Sequence, residues 1–129
     1  MIIGIGVDTV DIRRIEKMLE KDEEPAFFRG VYTAMERELA PDTERIRPKA
    51  EYYAGRYAVK EAVFKAVSPY SEASLDLRKI ETLRAEDGHP YVNLNDGIRS
   101  AMAAAGISRI HISITHEKDY ATAFAVAEK

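Results

Sequence analysis

Apolar and polar positions alternate near both ends of the chain and follow a helical period through its middle. Ile2 to Val7 is apolar, β-branched and punctuated by glycine, which predicts a strand. Ile3, Ile5 and Val7 share one face. Gly4, Gly6 and Asp8 share the other, where missing side chains let a neighbour come close. Asp11 to about Lys21 predicts a helix whose inward stripe is Ile12, Ile15, Met18 and Leu19; Asp22-Glu23-Glu24 and Pro25 end it. A short helical stretch follows over Ala26 to Val31. Thr33 then caps a helix near Ala34 to Leu39, with Glu36 completing a capping box. The polar stretch Pro41 to Pro48 reads as a loop. Lys49 to Val67 gives the strongest helical pattern, opened by Pro48 and closed by Ser68-Pro69. Lys79 to Ala85 and Tyr91 to Leu94 are short strand candidates around a Gly88-containing turn. Asp96 to Ala105 is a helix stopped by Gly106. Arg109 to His116 and Tyr120 to Ala127 form a hairpin across Glu117-Lys118-Asp119. This order predicts one α+β domain over residues 1–129, a largely antiparallel sheet with helices packed on it.

Composition narrows the function classes. At 129 residues the chain can bury a core without a disulfide or metal staple. It has no cysteine, which excludes thiolate zinc sites and a cysteine nucleophile. Its net charge of -3 argues against a protein whose main work is neutralising duplex phosphates, so no nucleic-acid partner is expected. The apolar start is too short, and lacks the basic flank, for an export signal or a span. The expectation is a cytoplasmic protein with no membrane partner. Gly4-x-Gly6 lacks the third glycine of a dinucleotide fingerprint, and no phosphate-binding Gly-Lys-Ser/Thr loop occurs.

Three places could carry chemistry. Asp8 ends a glycine-faced strand, where a buried carboxylate needs a partner or a metal; it could equally cap a helix or join a structural ion pair. On the long helix, Tyr53, Tyr57 and Phe64 form a stripe with Glu61 in its midst, while Gly55, Val59, Ala62, Val63 and Ala66 occupy the opposite face. A helix apolar around most of its circumference should be buried, so its inner charges are not a simple solvated face. Glu61 and Lys65 are i,i+4 neighbours, as are Arg56 and Lys60. Glu61 with Lys65 is either a plain ion pair or a carboxylate ligand beside a cation, suited to a metal-bound phosphate. His116 follows Ile110, Ile112 and Ile114 in phase, as a satisfied strand-end group or as a phosphate contact or proton carrier. Arg13, Arg14, Lys17 and Lys21 gather on one helix flank, ordinarily a solvated face.

Three runs in this order are specific together: Gly4-Ile5-Gly6-Val7-Asp8-Thr9-Val10-Asp11-Ile12-Arg13-Arg14-Ile15, then Ala54-Gly55-Arg56-Tyr57-Ala58-Val59-Lys60-Glu61-Ala62-Val63-Phe64-Lys65-Ala66, then His111-Ile112-Ser113-Ile114-Thr115-His116. A lesser one is Gly88-His89-Pro90-Tyr91-Val92. The chain resembles, nearly end to end, the small trimeric holo-(acyl-carrier-protein) synthase type of 4′-phosphopantetheinyl transferase. The resemblance implies that family's fold and its reaction. Coenzyme A gives 4′-phosphopantetheine to a serine of apo acyl carrier protein, adenosine 3′,5′-bisphosphate leaves, and the product serves fatty acid biosynthesis. It implies Mg²⁺ held by Asp8 and Glu61, with Lys65 as the third catalytic residue. It implies coenzyme A contacts from Arg56, His116, Arg47 and Lys49, and a pocket wall at Gly88 and Pro90. It further implies docking of the acidic carrier protein on Arg13, Arg14, Lys17, Met18 and Lys21, and a homotrimer with active sites between subunits. The chain departs from the family pattern at Gly30, where an arginine is usual, and over 41–47 and 68–77. The rivals are a non-catalytic carrier-protein or nucleotide-binding module of the same fold, another small metal-phosphate enzyme, and a plain trimeric structural domain.

Overall fold

The computed structural model describes residues 1–129. Strand β1 (Ile2–Asp11) leads into helices α1 (Ile12–Lys21), α2 (Ala26–Val31), α3 (Ala34–Glu38) and the long α4 (Ile46–Val67). Short strands β2 (Thr82–Arg84) and β3 (Pro90–Val92), helix α5 (Asp96–Ala105) and the hairpin β4 (Arg109–Glu117) and β5 (Tyr120–Glu128) follow. β5 is central in an antiparallel sheet of order β1-β5-β4, and β2-β3 form a separate two-stranded ribbon. The expected α+β architecture with a largely antiparallel sheet is what the chain adopts.

The core is the seam between α4 and the inner face of the sheet. Ala121, Ala123, Ala125 and Ala127 present buried methyls from β5, and Ala54, Ala58, Ala62 and Ala66 answer from α4. Small residues on both sides bring the backbones together. A Cβ added to Gly6 would lie 1.9 Å from the Ala62 carbonyl oxygen, and one on Gly4 2.0 Å from that of Ala66. The glycine face of β1 is therefore the helix-contact face. Gly6→Ala must push α4 off β1, because the obstructing atom is main chain. We expect a loss of about 3 kcal/mol or more in urea unfolding, the upper range for overpacking, and loss of whatever chemistry joins β1 to α4.

Element edges differ from the sequence reading for local reasons. β1 runs on to Asp11, whose carboxylate caps α1 by accepting from the Arg13 backbone N–H. Helix α4 starts at Ile46, so Arg47 lies in its first turn and not in a loop. Pro48 is tolerated there because first-turn N–H groups have no intrahelical acceptor. The strand expected over 79–85 is shortened to Thr82–Arg84 by a 3₁₀ turn at Leu77–Lys79. The Thr33/Glu36 capping box forms as expected.

The outer face of the sheet is left uncovered. Ile5, Val7 and Phe124 are 60%, 52% and 46% exposed, neighbours through the β1-β5 register that pairs Val7 with Phe124. No helix is long and apolar enough to cross a membrane.

Candidate functional site

Asp8 lies on the glycine face of β1 and so points toward α4. Its Oδ1 is 3.3 Å from the Lys65 Nζ, which also donates to the Val7 carbonyl at 3.0 Å. Lys65 thus turns to β1; Glu61, one turn earlier and half-buried, makes no ion pair. This decides between two readings of the sequence: Asp8 is not the helix cap, which is Asp11, and Glu61–Lys65 is not a bridge. Tyr57 lies a further turn back on α4. Burial first, then the Glu61 and Asp8 charges, push its phenol above the ordinary value. The phenol thus feels the charge of both carboxylates, and the half-exposed Lys65 ammonium stands beside Asp8. The Gly6–Ala62 contact sets this proximity, since it presses the strand onto the turn of α4 that carries Glu61.

A second cluster lies toward the start of α4. Arg56 is 5% exposed, stacks on Tyr52 with its Cζ 4.2 Å from the ring centroid, and forms no ion pair. Its Nε has no hydrogen-bond partner. Burial lowers its pKa, Tyr52 opposes that, and the Arg84 charge lowers it further. A buried guanidinium without a carboxylate is a strong anion site, because an unpaired buried charge is costly. His116 turns toward α4, its Nε2 3.2 Å from the Glu51 carbonyl oxygen and its ring against Gly55, where an added Cβ would meet Nε2 at 3.2 Å. Arg56 and Lys60, paired by sequence spacing, diverge. Lys60 is fully buried, with Nζ 2.7 Å from Glu36 Oε1 and donating to the Ile80 and Leu77 carbonyls at 2.7 and 3.0 Å. The other Glu36 oxygen accepts from the Thr82 backbone N–H at 2.9 Å.

The carrier-side residues divide. Arg14 and Met18 line an apolar cleft of about 90 Å³ with Val10, Ile15, Phe27 and Tyr57. Tyr57 is shared with the carboxylate cluster, so the cleft opens beside it. Lys17 and Lys21 are exposed on the same helix. Arg13 is engaged, its Nε and Nη2 each 2.9 Å from an Asp11 oxygen.

The other expected donor contacts sit elsewhere. Arg47 is bound by Glu16, Glu51, Asp119 and the Lys118 carbonyl. Lys49 borders hollows beside α1 and the 41–45 segment. Gly88, at φ +95°, makes the β2–β3 turn, and Pro90 starts β3. That ribbon packs on β4, at the sheet edge opposite β1. One protomer therefore splits the expected residues between two edges. Sequence reasoning placed Tyr57 on the stripe of Glu61, at i,i+4 spacing, but gave it no role. It missed Arg84 near Arg56 and the Glu36–Lys60 pair, which no local spacing reveals.

No group of three or more His, Asp or Glu side chains is gathered to hold a metal. Two carboxylates with open oxygens are nevertheless a fitting protein share for Mg²⁺, which binds one or two carboxylates and completes its shell with water and substrate phosphate.

Residues 4–125 match the model of the 4′-phosphopantetheinyl transferase superfamily. The chain is 36% identical over 129 residues to the holo-[acyl-carrier-protein] synthase of Halalkalibacterium halodurans, covering 100% of this chain and 98% of that one. It superposes on the crystal structure of the Neisseria meningitidis holo-[acyl-carrier-protein] synthase with a TM-score of 0.82, at 32% identity and full coverage of both chains. The Bacillus anthracis synthase in complex with CoA (3′,5′-ADP) gives 0.76, at 33% identity over 100% of this chain and 98% of that one. By that match over residues 4–125 and these full-length likenesses, the chain belongs to the 4′-phosphopantetheinyl transferase superfamily.

Proposed function

We propose that the protein transfers 4′-phosphopantetheine from coenzyme A to a serine of an apo acyl carrier protein, in the cytoplasm and in support of fatty acid biosynthesis, with Mg²⁺ held by Asp8 and Glu61. The observation that carries this reading is the meeting of Asp8 on β1 with Lys65 on α4, one helical turn from Glu61, beside the apolar cleft of Arg14 and Met18. Such a site has an anionic donor on one side and a protein acceptor on the other.

In the reaction the serine oxygen attacks the β-phosphorus of coenzyme A. The bond to the departing 3′,5′-bisphosphate breaks, and the serine proton passes to a base, of which the chain supplies Asp8 and Glu61. Mg²⁺ at these carboxylates supplies neutralisation of the pyrophosphate charge. Lys65, anchored on the Val7 carbonyl, adds a second cation at the same place. Arg56 and His116 hold donor phosphates, Lys49 adds a cation beside α1, and Gly88 and Pro90 wall the nucleotide pocket. Arg14, Lys17 and Lys21, with Arg13 at the edge, steer the acidic carrier, and Met18 gives it an apolar seat. Complementary charge speeds encounter despite the net charge of -3.

The protein assembles as a homotrimer through the uncovered outer face of its sheet. The exposure of Ile5, Val7 and Phe124 supports that assembly. So does the split of site residues between the two sheet edges, which a second copy can reunite.

The test is incubation with coenzyme A, Mg²⁺ and apo carrier protein, followed by mass spectrometry. A gain of one phosphopantetheine on the carrier serine is expected. An unchanged carrier would overturn the transfer, and a monomer by light scattering would overturn the trimer.

A further inference from the structure

Arg47 stands in the first turn of α4, its side chain about two-thirds buried and its guanidinium surrounded by acceptors. Nε donates to Glu51 at 2.9 Å, Nη1 to Glu16 at 2.7 Å and to Asp119 at 3.3 Å, and Nη2 to the Lys118 carbonyl. Four of the five N–H groups of a guanidinium are thereby used. Glu16, Glu51 and Asp119 set three carboxylates around Arg47, with Arg13 also 3.7 Å from Asp119, so the Arg47 charge is already met and offers a phosphate little. Arg56, buried and unpaired, has the opposite character.

The acceptors of Arg47 show what it holds. Glu16 belongs to α1. Lys118 and Asp119 make the β4–β5 turn, and Lys118 sits at φ +52°, a left-handed conformation that a lysine adopts only when its surroundings hold it. The Asp119 carbonyl also accepts from the Ile12 N–H at 2.7 Å, so this turn carries the start of α1. His116 precedes the turn, and its Nε2 meets the carbonyl of Glu51, whose carboxylate Arg47 grips.

We propose that Arg47 is a positioning residue, a clamp that fixes the β4–β5 turn and α1 on the start of α4 and so seats His116 over Gly55, and that it does not contact the donor's phosphates. One guanidinium then registers the carrier-docking helix against the donor-side histidine. The kinetic part of this inference rests on the transfer reading; the placement of His116 does not.

The experiment compares the parent protein with Arg47→Met and Arg47→Lys, using coenzyme A and 3′-dephospho-coenzyme A as donors. A clamp lowers kcat/KM about tenfold for both donors, the scale of a small misplacement, and keeps the ratio between donors within about twofold of the parent. It also shifts the His116 imidazole proton resonances in NMR spectra. Arg47→Lys restores little, because one ammonium cannot present the fork. A loss confined to coenzyme A, collapsing the donor ratio, would make Arg47 a phosphate ligand and overturn the inference. So would unchanged rates with unmoved His116 resonances.

The double variant Glu16→Gln/Asp119→Asn keeps the question open to test should Arg47→Met fail to fold. A clamp then loses activity with both donors, whereas a freed phosphate ligand would bind coenzyme A more tightly and overturn the proposal. A parent that transfers nothing sinks the transfer reading, and the His116 resonances in the variants still decide the clamp.

Discussion

Asp8→Asn should lower kcat/KM for phosphopantetheinyl transfer by at least about 10³-fold and leave a folded protein. Removing one preorganised electrostatic group from an active site costs about 10²–10³-fold, and here the same change would also take one of the two carboxylates of the proposed Mg²⁺ site. The fold should survive because the carboxylate contributes little to it. Its one ion pair, to Lys65 at 3.3 Å, has a lysine side chain that is 51% exposed, and solvent-screened pairs contribute about 0–1 kcal/mol. Steady-state transfer kinetics across a Mg²⁺ titration, with thermal unfolding of the same sample, read both halves. Mg²⁺-dependent activity retained in Asp8→Asn would remove Asp8 from the metal site. Lost activity accompanied by a lowered Tm of many degrees would make it a structural residue.

Lys60→Met should be the most damaging single change in the core, at about 3–5 kcal/mol, the cost of stranding a buried charge by removing its partner. The pair is wholly enclosed, and the 2.7 Å contact comes with hydrogen bonds from four places: Lys60 donates to the Leu77 and Ile80 carbonyls, and Glu36 accepts from the Thr33 and Thr82 N–H groups. Burial pushes the Lys60 pKa down, and Glu36 only partly opposes it. The ammonium is therefore held by its partners against the tendency to lose its charge. Small domains have about 5–15 kcal/mol in total, so the variant should unfold at much lower urea, or not fold at all. Lys60→Met/Glu36→Gln is the discriminating companion. Neutralising both ends removes the stranded charge, so the double variant should regain stability over Lys60→Met. If it is no more stable, the loss comes from packing and not from the isolated carboxylate.

Legibility in the sequence followed the range of the interactions. The α4 period, the β4–β5 alternation and the Thr33/Glu36 box are set within a few residues, and each element appears where its pattern predicts. The Gly4/Gly6 face announced a close approach, although not what would approach; that required the alanines of a helix some sixty residues later. Asp8 and Glu61 were readable as odd residues, and family resemblance joined them, but spacing left Lys65 free to serve either. The folded chain gives it to Asp8. The pairing of Lys60 with Glu36 was missed for the same reason, although the Glu36 cap itself forms as read. Each has a respectable local role, as an i,i+4 neighbour and as a capping residue, and their mutual contact crosses 24 positions of chain. Arg47 shows the same limit: a basic residue near a polar stretch looks free in the sequence, and only the fold brings Glu16 and Asp119 from distant elements to pair with it.

The 1.9 Å that separates an imagined Gly6 methyl from the Ala62 carbonyl has one more implication. The spacing of the main chains that carry Asp8 and Glu61, the proposed metal-binding pair, is fixed by peptide planes in contact. A site built this way has no loosened intermediate available to it. On heating or in denaturant, its capacity to grip a cation should persist unchanged until the whole domain lets go, and then vanish in the same cooperative step.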